Sequence, residues 1–295
     1  MIHVKDGRQE FPFSRGIMAK SLTGAGLPVS EAYEVVKRVE EELRREEVEE
    51  IHTDQLRQRV SRKLLQGGWR TEERFYRVRR RIKYLDEPIF ILLGGATGVG
   101  KSSIAAELGH RLGIERVIGT DTVREIMRSI IPQNLIGPLH ESSFEAGDSL
   151  QSEWVEHKRL YAFQQQVEVV CEGVTAVLKR GVKEGLNMVL NGVHIVPGFL
   201  EESVLKNMPG TVFPYVLSVP DRERHAMFFY EREKGTRRQA DRYTERLDDI
   251  RRLQEFIVEA AEQNDVPVIE NREYEQTLQT LVEQVISGLS EEIEE

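Results

Sequence analysis

With 295 residues and 39% hydrophobic content, the chain holds enough apolar material for one large core or two smaller ones, and no run of it approaches a membrane span. Cys171 is the single cysteine, which excludes an intrachain disulfide and a cysteine-based metal cluster. The net charge of −9 is uneven: residues 1–86 carry 19 Lys and Arg against 15 Asp and Glu, a net +4, and the remainder 22 against 35, a net −13. So acidic a second region argues against nucleic acid as a partner.

The opening Met1-Ile2-His3-Val4-Lys5-Asp6 has no apolar signal region, so a soluble, cytoplasmic protein without a membrane partner is expected. Val4 to Glu10 reads as a short hairpin turning at Asp6-Gly7. Ala32, Val35, Val36, Val39 and Leu43 recur at helical spacing, as do Leu56, Val60 and Leu64. Arg74-Phe75-Tyr76-Arg77-Val78-Arg79-Arg80-Arg81 is basic, but such a run ordinarily forms a solvated helix face, here closing a small and mostly helical domain over 1–86. The composition changes at Asp86-Glu87-Pro88, and a second domain is expected over 87–295.

Ile89-Phe90-Ile91-Leu92-Leu93 predicts a buried strand, and the helix-forming run from Ser103 follows it closely. Between them stands Gly95-Ala96-Thr97-Gly98-Val99-Gly100-Lys101-Ser102, a complete G-x-x-x-x-G-K-[ST] phosphate-binding loop in its proper strand–loop–helix setting. Its glycines let backbone N–H groups converge on phosphate oxygens, while Lys101 and the positive end of the helix opening at Ser102 and Ser103 meet the negative charge. Further strands are predicted at 116–119, 188–190, 212–219 and 266–269. Helices are predicted at 101–112, 123–130, 164–184, 199–206, 222–233, 245–262 and 275–287. The alternation specifies an α/β fold: a P-loop NTPase parallel sheet with helices on both faces, with ligands at the carboxyl ends of its strands.

Chemistry-bearing residues gather at those ends. Asp121, Arg124 and Arg128 fall at i, i+3 and i+7, one side of a helix opening after the second strand. Asp121 can take a hydroxyl proton or hold a metal shell, and the two arginines can grip a carboxylate or phosphate. His140-Glu141-Ser142-Ser143-Phe144-Glu145-Ala146-Gly147, without clear periodicity, suits an acceptor-binding flap. Asn191-Gly192-Val193-His194 follows the middle strand, and His194 is a candidate substrate contact. Asn191 occupies the place where an acidic magnesium-orienting residue often stands. Between Arg232 and Arg242 lie five cations (Arg237 and Arg238 among them) with little apolar content, a segment suited to closing over a transferring phosphate. Donor loop, acid–base group and cationic segment read together as a small-molecule kinase. A kinase of another small acidic or phosphorylated alcohol stays open at this stage. So does an ATP-sensing switch, although the Asn-Lys-x-Asp and Leu-Ser-Gly-Gly segments of GTPases and ABC proteins are missing.

These pieces resemble the 2-phosphoglycerate kinase family. The matching residues are Pro12-Phe13-Ser14-Arg15-Gly16-Ile17, the phosphate loop, Asp121-Thr122-Val123-Arg124, His140-Glu141-Ser142-Ser143-Phe144, Gly192-Val193-His194-Ile195-Val196-Pro197-Gly198 and Ile250-Arg251-Arg252-Leu253-Gln254-Glu255. The resemblance leads one to expect Glu at Asn191. It implies transfer of the ATP γ-phosphoryl to the 3-hydroxyl of 2-phosphoglycerate, giving 2,3-bisphosphoglycerate, which in the family can feed cyclic 2,3-diphosphoglycerate synthesis. Lys101 would neutralise the β/γ phosphates, Ser102 and Asp121 would hold Mg²⁺, and Asp121 would activate the hydroxyl. Arg124, Arg128, Arg237, Arg238 and Arg242, with His140, Ser142, Ser143 and His194, would surround the acceptor. Residues 1–86 are similar to an ATP-cone, implying a regulatory nucleotide site at Lys5 and Arg15. The sequence carries no sign of an oligomeric state.

Overall fold

The computed structural model describes residues 2–7, 9–82, 85, 87–149, 158–200, 207–233 and 240–293. It separates into two compact units, residues 1–85 with 110–113 and 289–295, and residues 86–109 with 114–288.

In the first unit β1 (His3–Asp6) and β2 (Gln9–Pro12) form the expected hairpin, with Gly7 at its turn in the left-handed region at φ 60°. β3 (Glu50–His52) pairs parallel to β1 on its other side. Four helices accompany this small sheet: α1 (Arg15–Gly24), α2 (Val29–Arg45), α3 (Thr53–Gln66) and α4 (Arg70–Ile82). α2 buries Ala32, Val35, Val36, Val39 and Leu43, and α3 buries Leu56, Val60 and Leu64, the faces that their spacing defines. The sequence did not single out β3, whose three residues are too short for any periodicity.

The second unit is built on a parallel sheet ordered β5-β6-β4-β7-β8. Its strands are β4 (Ile89–Gly94), β5 (Arg116–Gly119), β6 (Met188–Asn191), β7 (Thr211–Ser218) and β8 (Val268–Glu270). The helices are α5 (Lys101–Leu112), α6 (Thr120–Ile130), α7 (Lys158–Glu184), α8 (Arg222–Glu233), α9 (Ala240–Glu245), α10 (Leu247–Gln263) and α11 (Tyr274–Ile293). The helix expected over 199–206 falls mostly outside the described residues. β4 and β6 are buried at every position, whereas the edge strands β5 and β8 are not. That contrast explains their sequences: central parallel strands read as unbroken apolar runs, and edge strands mix in polar residues. No described helix is long and apolar enough to cross a membrane.

Register aligns the functional ends. Asn191 lies opposite Leu93 of β4 and opposite Gly119 of β5. The segments leaving these three adjacent strands are the phosphate loop, Thr120-Asp121 and Gly192-Val193-His194, so residues almost a hundred positions apart meet at one sheet edge.

Two histidines are sealed inside this unit. His194 and His225 are fully buried, and burial, the largest influence on each, drives both from the ordinary 6.5 down to about 4. Each therefore stays neutral in the folded chain at a pH where the unfolded chain takes up a proton. Their contribution to stability is complete above the unfolded value and is lost as pH falls from 6.5 toward 4. Between pH 7 and 5, urea unfolding followed by circular dichroism should show a loss of roughly 2 kcal/mol for each such histidine. His225→Gln should flatten that slope, and an unchanged slope in the variant would contradict the assignment.

Candidate active site

One cleft of about 760 Å³ opens at the carboxyl ends of these strands. It is lined by Thr97, Gly98, Gly100, Lys101, Ser102 and Ser103 of the phosphate loop and α5, and by Asp121, Asn191 and Gly192 from the neighbouring strand ends. Arg224, Phe228 and Glu231 of α8, with Asn271 and Tyr274, complete the wall on the β8 side.

The loop is held by its carbonyls. The Lys101 Nζ donates to the Ala96 carbonyl at 2.5 Å, His225 Nε2 to that of Thr97 at 2.8 Å, and Asn271 Nδ2 to that of Val99 at 3.0 Å. The Asn271 Oδ1 in turn accepts from the Thr277 hydroxyl at 3.1 Å. Gly98 has φ 88°, and a Cβ there would collide with the Phe229 ring, so only glycine fits. His225 lies stacked on Phe229, and Phe229 on Tyr243, with ring centroids 5.5 and 5.0 Å apart. Neither His225 nor Asn271 was picked out by the sequence reading. Both act on the loop from more than a hundred residues away, and nothing local in sequence marks them.

Ser102 Oγ is exposed to the cleft and lies 3.3 Å from Asn191 Oδ1, while Asn191 Nδ2 donates to the Ile118 carbonyl at 3.4 Å. Asn191 thus presents a neutral oxygen where a carboxylate was expected. Asp121 lines the cleft from the first turn of α6, where the helix's positive end favours a carboxylate. Among the described residues no group of three or more His, Cys, Asp or Glu forms a metal cage.

The segment expected as a flap, 140–147, is bracketed by two short 3₁₀ turns, Gly137–His140 and Ala146–Ser149. Arg124 and Arg128, read from sequence as anion clamps, donate to its backbone: Arg124 Nη1 to the Glu141 carbonyl at 2.6 Å and the Leu139 carbonyl at 3.3 Å, and Arg128 Nη1 to that of His140 at 3.5 Å. The His140 ring donates from Nε2 to the Ile131 carbonyl at 2.9 Å. Ser143 is buried, and Ser142 donates to Glu145. Arg242 of α9 pairs with Glu145, reaches Ser142 Oγ at 3.2 Å and lies over the Phe144 ring. Burial raises the Glu145 carboxyl, but hydrogen bonds from Arg242 and Ser142 outweigh it and hold the group below its usual range. His194 does not line the cleft: Thr120 Oγ1 lies 2.9 Å from its Nδ1 and Gln166 Oε1 3.1 Å from its Nε2. Arg237 and Arg238 lie outside the described residues.

In the first unit, both cations expected at a nucleotide site have carboxylate partners. The Lys5 Nζ meets Glu50 at 2.5 Å, and Arg15 pairs with Glu40, which also binds Arg44 at 2.7 Å. The hydrogen bond from Arg15, the largest influence, keeps the mostly buried Glu40 carboxyl below its ordinary value.

Residues 1–87 match the family model described as the ATP cone domain. The 2-phosphoglycerate kinase of Methanopyrus kandleri is 42% identical over 290 residues, covering 98% of this chain and 88% of that protein. The 2-phosphoglycerate kinase of Pyrococcus furiosus is 40% identical, with 96% and 92% covered. That of Thermococcus kodakarensis is 40% identical over 293 residues, with 99% of both chains covered. With a phosphate loop and the carboxylate of Asp121 in one cleft, and similarity running the length of the chain, this protein belongs to the 2-phosphoglycerate kinase family.

Proposed function

We propose that the chain transfers the γ-phosphoryl group of ATP to the 3-hydroxyl of 2-phosphoglycerate, releasing ADP and 2,3-bisphosphoglycerate. The observation that carries this reading is the shared cleft, in which the phosphate loop and Asp121 face the same space. Relatives named for that activity, similar over nearly the whole chain, support 2-phosphoglycerate as the acceptor.

The nucleotide's phosphates lie on the loop from Gly95 to Ser103, with Lys101 exchanging the Ala96 carbonyl for phosphate oxygens. Asp121 accepts the proton of the attacking hydroxyl, and so converts an alcohol into a nucleophile at neutral pH. The donor set suits Mg²⁺ bound jointly with phosphates. Ser102 Oγ, Asn191 Oδ1 and the Asp121 carboxylate are hard oxygen donors, and Mg²⁺ needs few protein ligands beside its waters. When bound, the ion neutralises charge on the β and γ phosphates. The acceptor's carboxylate and phosphate are assigned to Arg128 and Arg242, whose side chains are 40% and 57% exposed. Arg124, 12% exposed, His140, Ser142, Ser143 and His194 shape the wall behind them. Arg237 and Arg238 are assigned to the charge of the transferring group. Residues 1–86 are proposed as a regulatory ATP-cone-like domain in which phosphate replaces Glu50 on Lys5 and Glu40 on Arg15, and 87–295 as the kinase domain.

Coupled measurement of ADP release with ATP, Mg²⁺ and a panel of glyceric acids and sugars tests the acceptor. Release dependent on 2-phosphoglycerate is expected; turnover of another acceptor in its place would overturn the assignment. Lys101→Ala should cost at least about 100-fold in rate. Asp121→Asn should lower kcat roughly 100- to 10,000-fold while leaving nucleotide binding in place, as followed by calorimetry. Ser102→Ala should raise the Mg²⁺ needed for half-maximal rate by on the order of 10-fold, read from a metal titration at fixed ATP.

A further inference from the structure

Gln166, on α7, is completely buried and sits behind the acceptor wall rather than in the cleft. Its Nε2 lies 2.6 Å from the Pro138 carbonyl and 2.9 Å from the Glu141 carbonyl. Both partners accept only, so the amide orientation is settled and Oε1 faces His194 Nε2 at 3.1 Å. An amide oxygen also accepts only, so Nε2 is the protonated nitrogen of His194. The other nitrogen, Nδ1, is then an acceptor, and the Thr120 hydroxyl 2.9 Å away must donate to it. Donors and acceptors therefore run one way, from Thr120 through His194 and Gln166 to the flap backbone, with each link dictated by the next. Burial keeps the imidazole neutral, as this pattern requires. Thr120 is the residue before Asp121 and opens α6. A Cβ at Gly192 would overlap the Thr120 hydroxyl, so glycine at 192 leaves room for Thr120 to reach His194.

We propose that Gln166 is a positioning residue of the transfer reaction: by fixing His194 as its Nε2–H tautomer it holds Thr120, and with it Asp121, in one relation to the flap at 137–141. The proposal rests on Asp121 being the group that receives the hydroxyl proton. A misplacement of about 1 Å at such a group costs on the order of 100-fold in rate, so the relay acts on turnover more than on nucleotide affinity.

The tautomer can be read directly on the full-length chain by two-bond proton–nitrogen correlation NMR with labelled histidine at pH 7, using His194→Gln to assign the signal among seven histidines. A protonated Nε2 with an unprotonated Nδ1 is expected, and the opposite tautomer would overturn the proposal. Gln166→Met keeps the volume and removes every hydrogen bond. It should lower kcat about 10- to 100-fold, hold KM for ATP within about twofold and leave His194 without a single tautomer. A Gln166→Met chain that melts earlier but keeps kcat and the tautomer would reduce Gln166 to packing and sink the idea. If that variant does not fold, Thr120→Val, which removes only the donor to Nδ1, carries the same test on kcat. The tautomer readout needs no turnover. An intact relay in a chain that leaves 2-phosphoglycerate untouched upholds the relay and rejects only the acceptor assignment.

Discussion

A loop that turns its N–H groups inward around phosphates must turn its carbonyls outward into the protein, and each buried carbonyl needs a donor. The rest of the kinase unit is arranged around that requirement. The donors for Ala96, Thr97 and Val99 come from α5, α8 and the segment after β8, three elements from different parts of the chain. Two of these donors reach the loop from the segments that follow β7 and β8. His225 serves Thr97 from a protonated Nε2 and is kept neutral by burial, which leaves Nδ1 buried among the described residues with no partner of its own. That unpaired nitrogen costs on the order of 1–3 kcal/mol, offset in part by its stacking on Phe229.

The segment from 137 to 149 follows the same rule with different residues. The flap is irregular backbone near the core, and its carbonyls are met by Arg124, Arg128 and Gln166 from α6 and α7. The two halves are then joined by rings. His225, Phe229, Tyr243 and Phe144 follow one another at centroid distances of 5.5, 5.0 and 5.5 Å, from the donor-loop carbonyl to the flap. Arg242, lying over Phe144 and paired with Glu145, closes the outer end of this column.

What the sequence made legible was local. The phosphate loop, the strand before it and the helix after it are contiguous, and the fully buried β4 and β6 announce themselves as apolar runs. Asn191 was legible as a position because a buried strand must end somewhere polar. The missing parts are pairings at long range: Gln166 with residues 28 and 25 positions away, His225 with one 128 away, Asn271 with one 172 away. Periodicity assigns Gln166 to the buried face of α7 and says nothing more. The arginines show a different blind spot. A guanidinium beside a strand end suits an anion, but it suits a cluster of carbonyl dipoles equally well, and Arg124 meets both, the Glu141 carbonyl at 2.6 Å and the Glu125 carboxylate at 3.2 Å. Lys5 and Arg15 likewise meet Glu50 and Glu40, which lie 45 and 25 residues away.

Asn191 gains meaning from this setting. A cleft that must admit a nucleoside triphosphate and a phosphorylated acid together gathers several negative charges in a small volume. A second carboxylate beside Ser102 would add to that repulsion, by an amount that grows as water is excluded. An amide keeps an oxygen 3.3 Å from the Ser102 hydroxyl without the charge, and its Nδ2 is occupied by the Ile118 carbonyl, which fixes the oxygen toward the cleft. Asp121, which also lines the cleft, stands where the positive end of α6 offsets its charge. An amide at 191 therefore leaves the cleft one negative charge lighter than a carboxylate there would, while its oxygen still faces Ser102.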